Sequence, residues 1–236
     1  MMKVLAVIAV YNEDLENLRE ILKRFPKDVA SLIVIDDCSQ NNPEDVVLEF
    51  GFSFIRHEVN KGIGAVIKSG IGYAIDNKYD IIVIMAGNGK DDPREIPKLL
   101  EPIIEEDYDY VQGSRNLAGG RSVNLPIFRR IMVRVNALIY RILTGFPATD
   151  AINGFRAYKL SIFDDPRINI WQDWLDRYEL ETYLHYKVLK LGYKVKEVPV
   201  PKIYQKKKKK YSHIRPFIDW WKIAKPLVYL PLGIKK

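Results

Sequence analysis

The stretch at residues 4–39, VLAVIAVYNEDLENLREILKRFPKDVASLIVIDDCS, decides the fold. It opens on an unbroken apolar run, Val4 to Val10, that ends abruptly in Tyr11-Asn12-Glu13. Residues 14–24 then place Leu15, Leu18, Ile21 and Leu22 at helical spacing. A second apolar run at 32–35 ends in Asp36-Asp37-Cys38-Ser39. Continuous runs rich in Val and Ile are the mark of strands buried on both faces of a mainly parallel sheet.

The pattern continues outward. A third run at 81–85 ends in Gly87-Asn88-Gly89-Lys90-Asp91-Asp92-Pro93. Helices are predicted at 44–49, 64–77 and 93–105, and strands near 52–56 and 110–113. Strands alternating with helices give an α/β sandwich. The second half reads differently. A long helix over 126–144 carries Ile127, Ile131, Val135, Leu138 and Ile142 on one stripe. Another helix at 174–191 is closed by Gly192, and a strand follows at 194–200.

Composition narrows the class. Of 236 residues, 47% are hydrophobic and 28% charged, which is ordinary for a soluble globular chain and excludes disorder. One cysteine, Cys38, leaves no disulfide framework and no cysteine-cluster zinc site. No stretch of eighteen apolar residues is present, and the first apolar run reads as a buried strand rather than a signal peptide, so a cytoplasmic location is expected. The net charge of +7 is divided unevenly. Residues 202–236 hold eleven Lys and Arg against Asp219 alone, a net +10, which leaves the preceding 201 residues at −3. Such asymmetry suggests contact with an anionic surface. The plainer reading is a solvated lysine-rich tail.

In an open parallel sheet, ligands bind beyond the carboxyl ends of the strands. The three polar clusters would therefore meet at one edge. An aromatic ring to stack a base, carboxylates to accept from its N–H groups or from ribose, and glycines that admit phosphates make a nucleotide pocket. Singly, each has a plainer reading: Asn12 and Ser39 as helix caps, Gly87-Asn88-Gly89 as a turn. No Walker motif and no G-x-G-x-x-G follow the first strand, and no G-x-S-x-G is present. His57, His185 and His213 have no metal-ligand spacing and read as incidental.

These residues also carry a resemblance. V-Y-N-E at 10–13, D-D-C-S at 36–39, N-K-G-I-G-A at 60–65 and the loop before Asp91-Asp92-Pro93 resemble family 2 glycosyltransferases. So do G-S-R at 113–115, D-A-I-N-G-F-R at 150–156 and E-V-P at 197–199, with the nearest likeness to the dolichyl-phosphate mannose and glucose synthase branch. The resemblance covers nearly the whole chain. It implies a GT-A fold, a mainly parallel central sheet flanked by helices. It also implies a UDP- or GDP-sugar donor and an inverting transfer of hexose to a polyprenyl (dolichyl) phosphate or to a sugar hydroxyl of a glycan. Carried over by residue, Tyr11, Asn12, Glu13, Asp37, Lys61, Gly62 and Asn88 would hold the donor, with Asp37 at the base edge.

In that family the third strand ends in a D-x-D that binds Mg²⁺ or Mn²⁺. Here the matching positions are Ala86 and Asn88, so the divalent cation is in question. Asn88 and Asp91 are the remaining candidate ligands; alternatively, Lys90 itself offsets diphosphate charge, or Asp91 and Asp92 simply start a helix. Arg115 and Arg156 match family arginines and Arg129 a basic position; guanidinium groups suit a phosphate acceptor. A hydroxyl acceptor instead needs a base, for which Glu181 is first choice, then Glu179 and Asp173, with Asp150 orienting the acceptor loop. Arg130 and Arg134 read as a solvated helix face. The missing carboxylates also motivate a rival reading, a catalytically impaired nucleotide-sugar binding module.

The expected organisation is a catalytic domain over 1–201 and a basic, aromatic appendage over 202–236. Within the appendage, Lys206 to Lys210 precede a helical segment with Phe217, Trp220, Trp221, Ile223 and Leu227. Apolar and basic residues at helical spacing suit a membrane interface better than nucleic acid, which makes the chain peripheral on the membrane's cytoplasmic face. The alternative packs these aromatics on the body or against a second copy of the chain.

Overall fold

The computed structural model describes residues 2–204 and 218–235. Lys206 to Lys210 and Phe217 therefore lie outside the described residues. The strands are β1 (Val4–Val10), β2 (Ser31–Asp36), β3 (Ser53–Arg56), β4 (Ile81–Ala86), β5 (Tyr110–Ser114), β6 (Arg121–Val123), β7 (Arg156–Lys159), β8 (Val195–Pro199) and β9 (Pro201–Ile203). The helices are α1 (Leu15–Lys23), α2 (Glu44–Glu49), α3 (Ile63–Asp76), α4 (Ile96–Glu105), α5 (Ile127–Thr144), α6 (Glu179–Lys190) and α7 (Ile218–Tyr229).

Seven strands form one sheet in the order β3-β2-β1-β4-β7-β5-β8, and β6 pairs with β9 beside it. All pairings in the main sheet are parallel except those of β7, which runs antiparallel between β4 and β5. The three apolar runs are its centre. Every residue of β1 is buried, and the side chains alternate between two cores. Ala6, Ile8 and Val10 face α1, α2 and α4 through Leu18, Leu22, Val47 and Leu99. Leu5, Val7 and Ala9 face α3 and α6 through Ile67, Ile71 and Leu184. The order reverses between β1 and β4, so the carboxyl ends of these two strands open the crevice in which a ligand can sit.

The strand β7 escapes periodicity because R-A-Y-K offers no apolar run, yet Arg156, Ala157 and Tyr158 are buried. The helix expected at 174–191 is divided: a short 3-10 turn (Asp173–Leu175) precedes α6. That break has a purpose in the packing. The backbone at 175–177 lies against the start of α3, where Ala65 N–H donates to Asp176 O at 2.9 Å. A Cβ at Gly64 would overlap the Leu175 carbonyl oxygen, and one at Gly62 (φ +107°) would lie 2.6 Å from Asp176 O. The N-K-G-I-G-A glycines are thus required by backbone contact.

The stripe of α5 formed by Ile127, Ile131, Val135, Leu138 and Ile142 faces outward, with Ile127 75% and Ile142 74% exposed. The buried face is Val133, Asn136, Ala137 and Tyr140. Helix α7 packs on α6, with Ile223 and Leu227 buried and Trp221 exposed. Among the described residues, no helix is long and apolar enough to cross a membrane. His185 is wholly buried, stacked on Tyr110 and close to the Tyr140 ring. Burial, reinforced by Arg156, pushes its pKa down to about 3, so it is a neutral core residue.

The glycine contacts predict opposite outcomes for one substitution. Gly64→Ala should lose about 2–3 kcal/mol to backbone overlap in urea unfolding. Gly72→Ala, whose Cβ meets only the Trp171 ring at 3.7 Å, should gain about 0.5–1 kcal/mol of helix propensity.

Candidate active site

The crevice above β1 and β4 is an open cavity of ≈ 1260 Å³. That exceeds a typical small-molecule site of roughly 300–1,000 Å³ and leaves room for two ligands. Tyr11, Asn12, Glu13, Asp37, Gly62, Asn88, Asp91, Arg115, Arg129, Arg156 and Glu181 line it. The three strand-end clusters do therefore meet, and the arginines from the second half join them. Two predicted residues do not reach it. Lys61 has an exposed side chain and contributes its backbone N–H instead. Asp150 is wholly buried behind Arg115.

At the β1–β2 end, Asn12 adopts a left-handed backbone (φ 51°). Its N–H donates to Ser39 Oγ at 2.8 Å, and its Oδ1 accepts from Gln40 N–H at 2.8 Å. Asn12 thus stitches two loops together. Asp37, expected at the base edge, lines the cavity and also holds the 57–62 loop. Its carboxylate shares hydrogen bonds with His57 Nδ1 (2.8 Å), Lys61 N (2.9 Å), Asn60 Nδ2 (2.8 Å) and Gly62 N (2.7 Å). These fill the roughly four acceptor positions of a carboxylate. Burial pushes its pKa up, but the bonds from His57, Lys61 and Gly62 outweigh that and hold it below the usual range. Asp37 is the anchor of the 57–62 loop, and His57 is its partner rather than an incidental residue. Tyr11 is half-buried and lines the wall of the cavity.

Across the cavity the arginines are fixed by neighbours. Arg115 donates to Asp150 through Nε and Nη2, both at 2.6 Å, and through Nη1 to Tyr204 Oη at 2.7 Å. Burial opposes its charge, but Asp150 outweighs it and holds the guanidinium above its ordinary range. Glu197 accepts from Thr149 N at 2.9 Å and Asp150 N at 3.0 Å, which sets the Asp150 loop; its own pKa is raised by burial. Arg156 donates to Asn153 O (2.7 Å) and Glu181 O (2.8 Å), binding the 151–154 loop to α6. Glu181 Oε1 lies 3.7 Å from Arg156 Nε and faces the cavity. Neither alternative base does: Glu179 is buried against Lys225 at 3.4 Å, and Asp173 is exposed outside the cavity.

The position of a D-x-D metal does not fit a divalent cation. Ala86 offers no ligand, and Asn88 Oδ1 accepts from Lys90 N at 3.1 Å. Both Asp91 oxygens accept from Lys202 Nζ, at 2.7 and 2.9 Å. Asp92 caps the turn at Pro93–Glu95 and pairs with Arg94. Among the described residues, no cluster of three His, Cys, Asp or Glu could hold a metal. Asn88 and Asp91, expected as ligands, are instead parts of a cationic corner.

Lys202 and Tyr204 were missed as site residues. The strand alternation of P-K-I-Y puts them on one side of β9 and its extension, and that is the signal that could have found them. Helix α7 also contributes Asp219, Trp220, Lys222 and Ile223 to the wall.

Comparison with known proteins agrees with this geometry. A family model described as Glycosyl transferase family 2 matches residues 5–165. An undecaprenyl-phosphate mannosyltransferase of Micrococcus luteus is 29% identical over 206 residues, covering 84% of this chain and 83% of that protein. A UDP-N-acetylglucosamine–dolichyl-phosphate N-acetylglucosaminyltransferase of Methanococcus voltae is 28% identical over 219 residues, covering 84% of each. Glucosyl-3-phosphoglycerate synthase of Mycobacterium tuberculosis, solved with Mn²⁺, UDP and phosphoglyceric acid, superposes with a TM-score of 0.69 at 13% identity. That match covers 98% of this chain and 78% of the other.

The buried Arg115–Asp150 pair predicts a large single-variant cost. Asp150→Asn leaves a buried guanidinium without its counter-charge and should lose about 3–5 kcal/mol in denaturant unfolding. The double variant R115M/D150N should lose less than the sum of the two single variants. Additive losses would show that the two side chains do not act as a pair.

Proposed function

The chain belongs to glycosyl transferase family 2 and has the GT-A fold, and from that premise we propose that it transfers a hexose from a UDP- or GDP-sugar to a polyprenyl phosphate. A phosphate oxygen of the acceptor attacks the anomeric carbon, and the bond from that carbon to the donor's diphosphate oxygen breaks. The nucleoside diphosphate leaves with the electron pair, in a single displacement with inversion. The acceptor is already an anion, so no proton has to be removed and Glu181 need not act as base.

The observation that carries this reading is the position of Arg129. It lies in the first turn of α5 and lines the cavity, 6.0 Å from the Tyr204 ring. No carboxylate among the described residues stands within ion-pair distance of it. Burial lowers its pKa, and the neighbouring Arg115 pushes the same way. Beside it begins the exposed apolar stripe of α5, Ile127, Phe128 and Ile131. An acceptor phosphate at Arg129 would leave its isoprenoid chain running along that stripe. Arg130, Arg134 and Arg141 follow at helical spacing on the stripe's flank. An apolar face edged by arginines suits the interface of an anionic bilayer. The contact expected from the C-terminal appendage is thus proposed for α5. Residues 202–204 are read with the catalytic body, because Lys202 and Tyr204 line its cavity. The acceptors named in the two relatives support the acceptor class.

Labelled sugar should pass from a nucleotide-sugar to a polyprenyl phosphate and to neither the phosphate-free polyprenol nor an oligosaccharide. Transfer to an oligosaccharide that E181Q abolishes would favour the hydroxyl reading instead. The α5 face has its own check. I131S/L138S should reduce binding to anionic liposomes by about tenfold or more, given roughly 1.5–3 kcal/mol per buried aliphatic side chain. Transfer to a short, water-soluble polyprenyl phosphate should be unchanged. Liposome binding that the double variant leaves intact would remove α5 from the account.

A further inference from the structure

Where a divalent cation would be expected beside the donor diphosphate, this chain presents ammonium groups. Lys90 is held there by its backbone. Gly87 N–H donates to Ala9 O at 2.8 Å, and a Cβ at Gly89 (φ +72°) would lie 2.5 Å from Asn17, so the turn after β4 is packed onto β1 and α1. Lys90 O accepts from Ile203 N–H at 2.9 Å, which ties the same turn to β9. The side chain lines the cavity, with Nζ 5.6 Å from the centre of the Tyr204 ring. Among the described residues, no carboxylate comes within ion-pair distance of that Nζ.

Lys90 does not stand alone. Lys202 sits behind it, hydrogen-bonded to Asp91 and to Asn153 Oδ1 at 2.6 Å, and Arg129 flanks it. Burial, then Lys202 and Arg129, push the Lys90 pKa down to about 8, against the opposing pull of Glu13 and Asp91. Two charges of one sign held close in a partly desolvated corner are strained until an anion arrives. A divalent cation placed in the same corner would meet Lys90, Lys202 and Arg129, with Asp91 already engaged and Glu13 the other carboxylate acting on Lys90. That arrangement repels a metal ion and attracts a diphosphate.

We propose that the Lys90 ammonium, backed by the Lys202–Asp91 pair and by Arg129, is the counter-ion of the donor diphosphate in this chain, in place of a divalent metal. The proposal rests on the nucleotide-sugar reading above and adds how the leaving group is held. Lys90 Nζ donates hydrogen bonds to the β-phosphate as the bond to the sugar breaks, and it keeps its protons throughout. Its role is electrostatic stabilisation of the departing diphosphate.

Calorimetric titration of the purified chain with UDP, GDP and the corresponding monophosphates tests this without reading activity. One diphosphate should bind with EDTA present, and Mn²⁺ should alter its Kd by no more than about twofold. Lys90→Gln should weaken the diphosphate by about tenfold or more, as expected for loss of a charge-assisted hydrogen bond. The monophosphate should weaken less. K90R should restore most of the loss, and the melting temperature of K90Q without nucleotide should be no lower than that of the parent chain. Binding that needs Mn²⁺ and collapses in EDTA overturns the lysine's role while leaving the donor reading standing. So does diphosphate binding that K90Q leaves unchanged. If neither diphosphate binds in either condition, the donor reading fails and this inference fails with it.

Discussion

Most cations around the carboxyl ends of β4 and β5 are paired with carboxylates, and the rest of the site is arranged about the two that have no ion-pair partner among the described residues. Arg115 has Asp150, Lys202 has Asp91, and Arg156 stands 3.7 Å from Glu181. Lys90 and Arg129 have no carboxylate of their own among the described residues, and both face the cavity. Burying a charge without a partner costs several kcal/mol. The paired cations therefore act as scaffold, and the two left over are where our proposal places incoming negative charge. The β1–β2 end of the cavity is organised by the opposite device. There Asp37 spends its whole hydrogen-bonding capacity on the 57–62 loop, so rigidity rather than open charge is what that carboxylate supplies.

Much of this was legible in the sequence, for physical reasons that can be named. Val4–Val10 and its two companion runs could only be buried parallel strands, and the rule that ligands sit beyond such strands picked out Tyr11, Glu13, Asn88 and Asp91. What escaped was carried by long-range contact. The four-residue strand β7 shows no apolar period, because its burial comes from neighbours on both sides. His57 directly follows β3 just as Asp37 directly follows β2, so applying the strand-end rule to all the strands would have reached it. Lys61 was misplaced because a motif identifies a residue without saying whether its side chain or its backbone is used.

Helix α5 illustrates a different limit. Periodicity found a stripe at Ile127, Ile131, Val135, Leu138 and Ile142, but a stripe does not state what it faces. The opposite face, with Asn136 and Tyr140, is the one that packs, and Tyr140 Oη donates to Thr182 O at 3.1 Å. The helix is thus apolar on its outer side and packed on its inner side, which is the arrangement our proposal assigns to a lipid surface. For the Trp-rich helix α7 the sequence left two readings, a membrane interface or packing on the body; the helix buries Ile223 and Leu227 and closes one wall of the cavity.

The account turns on where a nucleoside diphosphate rests, and a crystal structure of the complex with UDP or GDP, grown with Mn²⁺ present, measures that directly. The expected result is a diphosphate within hydrogen-bond distance of Lys90 Nζ, with the base over the loops that follow β1 and β2. The Lys202–Asp91 pair should remain intact. A diphosphate held instead through Mn²⁺ on Asp91, with Lys202 displaced, would contradict it.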